Sequence, residues 1–482
     1  MAKGGGAMKA RRSWRVVGGL LGAVVIGGGL YYARQRASEP VAFPALPAFG
    51  ETQERLREAV RAAMENADSP RGAKQALREI AQLYHANGYL DEAQAAYAEL
   101  EELDRDEPRW LHLHALILAG YGDFEPAMAR WKRVVERAPD YLPAHLRLAE
   151  AELKLNRPAA AAAIYASVLR RWPDEPYAQL GLARLDFEAE RWAEALQRLE
   201  PLVAQTEYRL GYDLIVSAYE KLGRDAEAKA IRGQMKASGA FRDAPDPWFD
   251  ELVDVCFDPY RIAIAAGART NPEEAHRLLL RAIELAPEEV SYRLQLVSHH
   301  TEQKDAPAAL EALRQLTTQA PNFADGWARL AMLQQDFGQD AAAARTLVKG
   351  LEHCPESPSL RLMWGAMLRR SGRLDEAMRE LEISIKLRPT EAPAYVELAH
   401  AQVSQGDVET GLASLRRSLE AEPENPDALI FLAFHAISAG NRAEADGWMQ
   451  RVAHQPRVAA EPARRLTQAY RAKFGREWQA RE

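Results

Sequence analysis

The sequence predicts an all-α solenoid built from stacked helical hairpins, and three observations lead to that prediction. Ala, Leu, Glu and Arg, which favour helices, dominate the 482-residue chain. No run of Val, Ile and Thr alternates with polar residues as a half-buried strand would. Small residues, turn residues and prolines recur every 34 positions over most of the chain. A hairpin that short cannot bury its own apolar side, so neighbouring hairpins must stack.

The clearest unit runs from Ala324 to Pro355 and reads as two short helices joined by a turn at Gly338. Each helix carries small or large apolar residues three or four positions apart, and they are Trp327, Leu330, Ala331, Ala343 and Leu347. Such spacing places them on one side of each helix. The proline ends the second helix, because it cannot continue the hydrogen-bond ladder.

The order Trp, Leu, Ala, Gly, Ala and Pro in this unit resembles the tetratricopeptide repeat, a helix–turn–helix of 34 residues. Eleven units align at this phase, five before an insertion and six after it. They begin near Lys74, Pro108, Leu142, Pro176, Arg209, Cys256, Val290, Ala324, Pro358, Ala392 and Pro426. The resemblance implies a right-handed superhelix. It also implies that the first helix of each repeat lines a concave face, and that this face binds peptides or protein segments.

The repeats and their flanks divide the chain into seven predicted segments. They are a basic cytoplasmic tail (1–15), a transmembrane signal-anchor helix (16–33), a proline-rich linker (34–50), a first repeat block with a leading helix (51–238), an insertion (239–255), a second repeat block (256–457) and a capping helix with a short tail (458–482). The last helix carries Leu466 and Tyr470 on one side, which predicts that it covers the apolar end of the stack.

The stretch Val16 to Ala33 has no charged residue, and as a helix it would span about 27 Å, close to the thickness of a hydrocarbon core. Basic residues precede it, so we expect the N-terminus in the cytoplasm and the repeats across the membrane. In a Gram-negative bacterium the repeats would then lie in the periplasm. A cleaved signal peptide is the alternative, although no clean small-residue cleavage site follows.

The charge distribution argues against a general nucleic-acid binder. The chain has a formal net charge of −7, although residues 1–36 contribute +7, so the remainder carries −14. Nucleic-acid binding needs a basic face, and the body of this chain is acidic. The acidic charge is interpreted mainly as a contribution to solubility, and it is the resemblance to the repeat family that implies a protein or peptide partner.

No motif for catalysis, a cofactor or a metal ion is present. Cys256 and Cys354 belong to no C-x-x-C or C-x-x-C-H pattern, and we expect two buried, unreactive thiols. His299 and His300 are adjacent, so on a helix their side chains diverge by about 100° and chelate poorly. The sequence predicts that the protein is not an enzyme.

The insertion and the start of the next repeat form an aromatic and acidic stretch from Asp246 to Arg261. Two interpretations remain open for it. Dense aromatic residues are typical of a partner-docking surface. Alternatively, the stretch joins the two repeat blocks, with Trp248 and Phe257 as core residues.

We expect the partner to contact this stretch and the first helices of the repeats. The candidate partner-binding residues are Trp248, Phe249, Tyr260, Arg261, Tyr177, Arg184, Phe187, Arg370, His400 and Phe434. The predicted function is a membrane-tethered protein-interaction scaffold. The alternative is an accessory substrate-delivery subunit of an envelope enzyme or assembly machinery, for example in cytochrome c maturation or polysaccharide export.

Overall fold

The computed structural model describes residues 41–50, 53–65, 67–205, 209–234, 244–455 and 460–479. Within these ranges it contains 25 α-helices, one 3-10 helix and no strand. The predicted all-α fold is confirmed for this part of the chain. The predicted cytoplasmic tail (1–15) and transmembrane segment (16–33) lie outside it. No helix within the described ranges has the length and apolar character needed to cross a membrane.

The chain divides into two compact units, Met1–Thr270 and Asn271–Glu482. In the first unit, a leading helix precedes five helical hairpins, and three short helices follow them. The hairpins are α2 with α3, α4 with α5, α6 with α7, α8 with α9 and α10 with α11. The bounds are α1 Glu54–Glu65, α2 Pro70–Ala86, α3 Leu90–Leu103, α4 Pro108–Tyr121, α5 Phe124–Arg137, α6 Leu142–Lys154, α7 Pro158–Arg171, α8 Pro176–Glu188, α9 Trp192–Gln205, α10 Arg209–Lys221, α11 Asp225–Gln234, α12 Pro247–Asp250, the 3-10 helix Glu251–Val255 and α13 Pro259–Ala268.

The second unit begins with one helix, continues with five hairpins and ends with a helix packed on the last of them. Its bounds are α14 Pro272–Leu285, α15 Val290–Glu302, α16 Ala306–Gln319, α17 Ala324–Asp336, α18 Asp340–His353, α19 Pro358–Arg370, α20 Leu374–Leu387, α21 Ala392–Gln405, α22 Val408–Ala421, α23 Pro426–Ala439, α24 Arg442–Ala453 and α25 Ala460–Phe474. Leu466 and Tyr470 of α25 are buried in the core that α23 and α24 form.

The hairpins stack closely because small residues recur where their helices meet. In the first unit, Ala81, Ala115, Ala149 and Ala183 follow one another at 34-residue steps and are fully buried. In the second unit, Gly365 takes the corresponding place, and a Cβ atom there would lie 2.6 Å from Cγ of Leu381. A larger side chain would overpack the contact between the two helices.

Each hairpin turn places one residue in the left-handed backbone region, and these positions also follow the repeat. Most are glycines, but Asn156, Glu190 and Lys304 have φ angles of 56°, 59° and 58°. Asparagine tolerates this conformation, whereas glutamate and lysine are strained there. The turn is therefore set by the packing of the two helices, even where its residue is unfavourable.

The first helix of the predicted sixth repeat starts at Pro259, later than the predicted start near Cys256. Cys256 has an extended backbone and does not start a helix. The helix begins at Pro259 because the Asp258 side chain accepts hydrogen bonds from the Tyr260 and Arg261 main-chain N–H groups and caps it. This helix, α13, belongs to the first unit, and the predicted second helix of the repeat, α14, belongs to the second.

Candidate functional site on the inner face of the first unit

The insertion crosses the first helices of three hairpins in the first unit. We call residues 244–257 the return segment and the surface formed by α2, α4, α6 and α8 the inner face. Ala244 packs against the core shared by α6, α7 and α8. Asp246 bonds to His112 of α4, and Phe257 bonds to Asn87 at the end of α2. The return segment therefore runs along the inner face in the reverse order of the hairpins.

Asp246 anchors the start of the return segment. Its carboxylate lies 2.8 Å from Nε2 of His112 and accepts a hydrogen bond from the hydroxyl of Tyr141. Only 5% of the residue is exposed. Burial acts to raise the pKa of the Asp246 carboxyl, but the His112 and Tyr141 hydrogen bonds outweigh it and hold that pKa below its ordinary value. The carboxylate thus stays charged and bonded near neutral pH.

Trp248 packs flat against the inner face. Its indole stacks on the Tyr141 ring, with 3.5 Å between centroids and 11° between planes. The Trp248 main-chain N–H donates to the Tyr141 hydroxyl over 3.1 Å. The Arg109 guanidinium lies 5.9 Å from the indole centroid, and its Nη1 pairs with Glu251 at 2.6 Å. Stacking, a cation–π contact and an ion pair therefore hold the middle of the segment.

Asn87 binds the main chain at the end of the return segment. Its Nδ2 donates to the Val255 carbonyl over 3.0 Å, and its Oδ1 accepts from the Phe257 N–H over 2.6 Å. Cys256, between them, is buried, and its thiol donates to the Ala86 carbonyl over 3.3 Å. One carboxamide thus makes hydrogen bonds to the main chain on both sides of an extended residue. Because these bonds involve only main-chain groups, they can hold a segment of any sequence.

A half-open cavity of about 370 Å³ remains beside the return segment. Its walls come from α2, the start of α3, α4, the return segment and α13, and they include His85, Leu116, Ile117, Phe249, Leu252 and Arg261. His85 is buried, and its ring contacts Phe249 with centroids 5.7 Å apart. Burial, and to a lesser degree the charge of Arg261, lowers the pKa of His85 to about 3, so the imidazole is neutral near pH 7.

The structure brings together some of the residues predicted from the sequence to bind the partner and separates others. Trp248 is half-buried in the stack, Phe249 and Arg261 line the cavity, and Tyr260 is 65% exposed. On α8, Tyr177 and Phe187 are half-buried and Arg184 is exposed.

The other predicted residues lie in the second unit. Arg370 is exposed at the end of α19, while His400 and Phe434 are half-buried on α21 and α23. The His400 ring packs 5.2 Å from that of Phe431, and burial lowers the pKa of His400.

Sequence reasoning missed Asn87, Arg109, His112 and Tyr141, which hold the return segment. Their partners lie far away in the chain; for example, 134 positions separate His112 from Asp246. The histidines His112 and His114 in the mostly apolar helix α4 are a sequence signal that indicates polar partners.

Both cysteines are free, but only Cys256 is buried; Cys354 is half-buried. The expectation of two buried thiols is therefore wrong for Cys354, because it caps α18 at a turn where solvent reaches it. Within the described ranges, no group of His, Cys, Asp and Glu side chains is arranged to hold a metal ion.

Three family models, each described as a tetratricopeptide repeat, match the chain. The matched residues are 75–107, 112–176, 153–207, 260–322 and 403–468. This chain carries tetratricopeptide repeats. The matches fall on both predicted repeat blocks.

The repeat protein is similar to two curated proteins over short stretches. A TPR-containing protein of Dictyostelium discoideum is 29% identical over 90 residues, which are 18% of this chain and 7% of that protein. The probable biofilm formation methyltransferase WspC of Pseudomonas putida is 30% identical over 106 residues, 22% of this chain and 25% of that one. The chain thus spans a quarter or less of either relative. Yeast Tom70, a solved structure, is 15% identical with a TM-score of 0.37, covering 84% of this chain and 96% of its own.

Proposed function

We propose that this tetratricopeptide repeat protein is an interaction scaffold that holds an extended segment of a partner protein against the first helices of its repeats. The proposal is supported by the hydrogen bonds and ring stacking that hold the return segment on the inner face. Asn87 bonds the main chain at Val255 and Phe257, and Tyr141 stacks on Trp248. An inner face that holds fourteen residues of its own chain in this way has the chemistry to hold a partner's chain.

The proposed mechanism is binding without chemical change. The repeats are preorganised by buried small residues, so little conformational freedom is lost when a partner docks. Candidate contacts outside the return segment are the exposed Arg184 in the first unit and Arg370 in the second. Both are long cations on first helices, and they favour a partner segment that carries acidic residues.

We further propose that the segment Val16–Ala33 tethers the scaffold to a membrane, with the repeats on the far side from the cytoplasm. Its 18 uncharged residues and the basic residues before it support this proposal. An alkaline phosphatase fused after Glu482 is expected to be active, because that enzyme folds only outside the cytoplasm. A stable but inactive fusion would contradict the orientation.

The scaffold function is tested by crosslinking the tagged full-length protein in its native membranes and identifying the adducts by mass spectrometry. A variant with Arg184→Glu and Arg370→Glu is expected to give at least tenfold less of the main adduct than the wild type. The matched control, Arg170→Glu and Arg379→Glu, changes exposed arginines on second helices and is expected to keep it. Equal adducts from both variants would contradict binding along the first helices of the repeats.

A further inference from the structure

We infer that the cavity beside the return segment is a docking pocket for a partner peptide, which inserts a large aliphatic or aromatic side chain and places a neighbouring carboxylate at its rim. This inference rests on the proposed scaffold function. It adds the place at which the partner binds and the type of side chain that is recognised there. It concerns residues of the first unit alone.

The size of the cavity is the first argument. Packed protein interiors contain few voids larger than a water molecule. The 370 Å³ here is about ten times the volume of one liquid water molecule and lies in the range of ligand pockets. It holds one or two large apolar side chains.

The interior of the cavity accepts an uncharged group. Leu116 and Ile117 of α4 and Leu252 and Val253 of the 3-10 helix line it. The neutral His85 adds no charge to the wall. Burying a charged group among these walls without a partner would be costly, whereas an apolar side chain gains by leaving water.

The charged side chains that line the cavity, Asp250, Arg261 and Arg269, support the second part of the inference. Asp250 is already paired with Arg269, whose Nη1 lies 2.5 Å from Oδ1. Arg261 is different, because 49% of its side chain is exposed and its contact with Asp258 is 3.4 Å long. An exposed ion pair of this kind is weak. The Arg261 guanidinium can therefore take a second carboxylate from a docked peptide.

The occupant is a peptide because the cavity continues a surface that already holds one. Asn87 binds the main chain at Val255 and Phe257, and Val253 and Cys256 of the same stretch form part of the cavity wall. Phe249 stands at the mouth with 47% of its surface exposed, where a second apolar side chain can cover it.

Glycines on two helices allow a matched test. Gly120 of α4 lines the cavity, and a Cβ atom added there meets no other atom within 4 Å. Gly267 of α13 is equally open but lies outside the cavity. Gly120→Leu therefore fills the pocket, while Gly267→Leu adds the same group elsewhere. Ala265→Phe, at another lining residue on α13, is a second blocking variant if Gly120→Leu does not fold.

The probes are three acetylated and amidated pentapeptides measured by ligand-observed NMR on the full-length protein. Their sequences are Gly-Leu-Phe-Asp-Gly, Gly-Leu-Phe-Asn-Gly and Gly-Ala-Ala-Asp-Gly. The wild-type protein is expected to bind the first most tightly and the third at least tenfold more weakly. Gly120→Leu is expected to weaken the first at least tenfold and Gly267→Leu to leave it unchanged. Arg261→Gln is expected to abolish the preference for Asp over Asn.

Unchanged binding of the first peptide by both folded blocking variants, or no preference for Leu-Phe over Ala-Ala, would overturn the inference. Partner crosslinking in cells separates this failure from that of the scaffold. Adducts that persist in Gly120→Leu would overturn the pocket and leave the scaffold function standing. Adducts lost in Gly120→Leu and kept in Gly267→Leu would support both.

Discussion

The indole of Trp248 lies parallel to the ring of Tyr141, 3.5 Å away between centroids. The two residues are 107 positions apart, and the Trp248 N–H also donates to the tyrosine hydroxyl. That hydroxyl in turn donates to Asp246. Tyr141 lies just before α6 and therefore holds the return segment through its ring and its oxygen at once. A segment predicted to be an insertion between repeats is thus part of the inner face of the first unit.

Replacing Trp248 by Ala is expected to destabilise the first unit by about 2–3 kcal/mol, because it removes a stacked, half-buried ring and leaves a void. Chemical denaturation, with hydrogen exchange to assign the loss to residues 70–171, measures the effect. Tyr260→Ala is the control, since that ring is 65% exposed and its loss is expected to cost less than about 0.5 kcal/mol. Equal effects of the two changes would contradict the packing described.

Replacing Asn87 by Ala is expected to free the end of the return segment. The change removes the acceptor of the Phe257 N–H and the donor to the Val255 carbonyl, at a cost of about 1–3 kcal/mol. The amide of Phe257 is then expected to exchange with solvent at least tenfold faster. Asn87→Asp keeps the acceptor and should restore part of the protection. Unaltered exchange in Asn87→Ala would show that the carboxamide does not hold the segment.

Acid is expected to weaken the first unit through His85. The pKa of this buried imidazole is about 3 in the folded protein, against about 6.5 in an unfolded chain. Below pH 6.5 the unfolded chain binds a proton that the folded protein does not. The stability due to neutral His85 is therefore complete above pH 6.5 and is lost, by about 1.4 kcal/mol per pH unit, as the pH falls toward 3.

Urea denaturation of the wild type and of His85→Gln between pH 7.0 and 5.0 measures this dependence. Below pH 6.5, the free energy of unfolding of the variant is expected to fall by about 1.4 kcal/mol less per pH unit than that of the wild type. Asp246 does not affect the comparison. Because its pKa is lowered in the folded protein, its contribution to stability is lost only below about pH 4. Parallel pH profiles for the two proteins would show that His85 takes up a proton in the folded state.

Replacing Lys304 by Gly is expected to stabilise the second unit by about 0.5–1 kcal/mol. The φ angle of Lys304 is 58°, a conformation that glycine adopts without the Cβ clash. Gly338→Ala, at the same position of the next hairpin with a φ angle of 67°, is expected to destabilise it by about 1 kcal/mol. Thermal unfolding compares them, and shifts of the same sign would contradict the shared turn geometry.

The helices were predictable because their determinants are local and periodic. Pro108, Leu142 and Pro176 start first helices at the predicted positions, and Ala115 and Ala149 are buried as their spacing requires. The path of the return segment was not predictable, since it depends on pairs such as His112 and Asp246 that follow no period. The start of the sixth repeat was predicted at Cys256 rather than at Pro259 for a related reason. Cys256 matches the phase of the repeat but is held in an extended conformation.

Site-specific photocrosslinking in living cells tests most directly whether a partner binds along the first helices. A photoreactive amino acid is placed at Arg184 or Arg370 on first helices, and at Arg170 or Arg379 on second helices, all exposed positions. We expect a discrete adduct from the first pair and none from the second. Adducts from the second-helix positions alone, or equally from all four, would contradict this expectation.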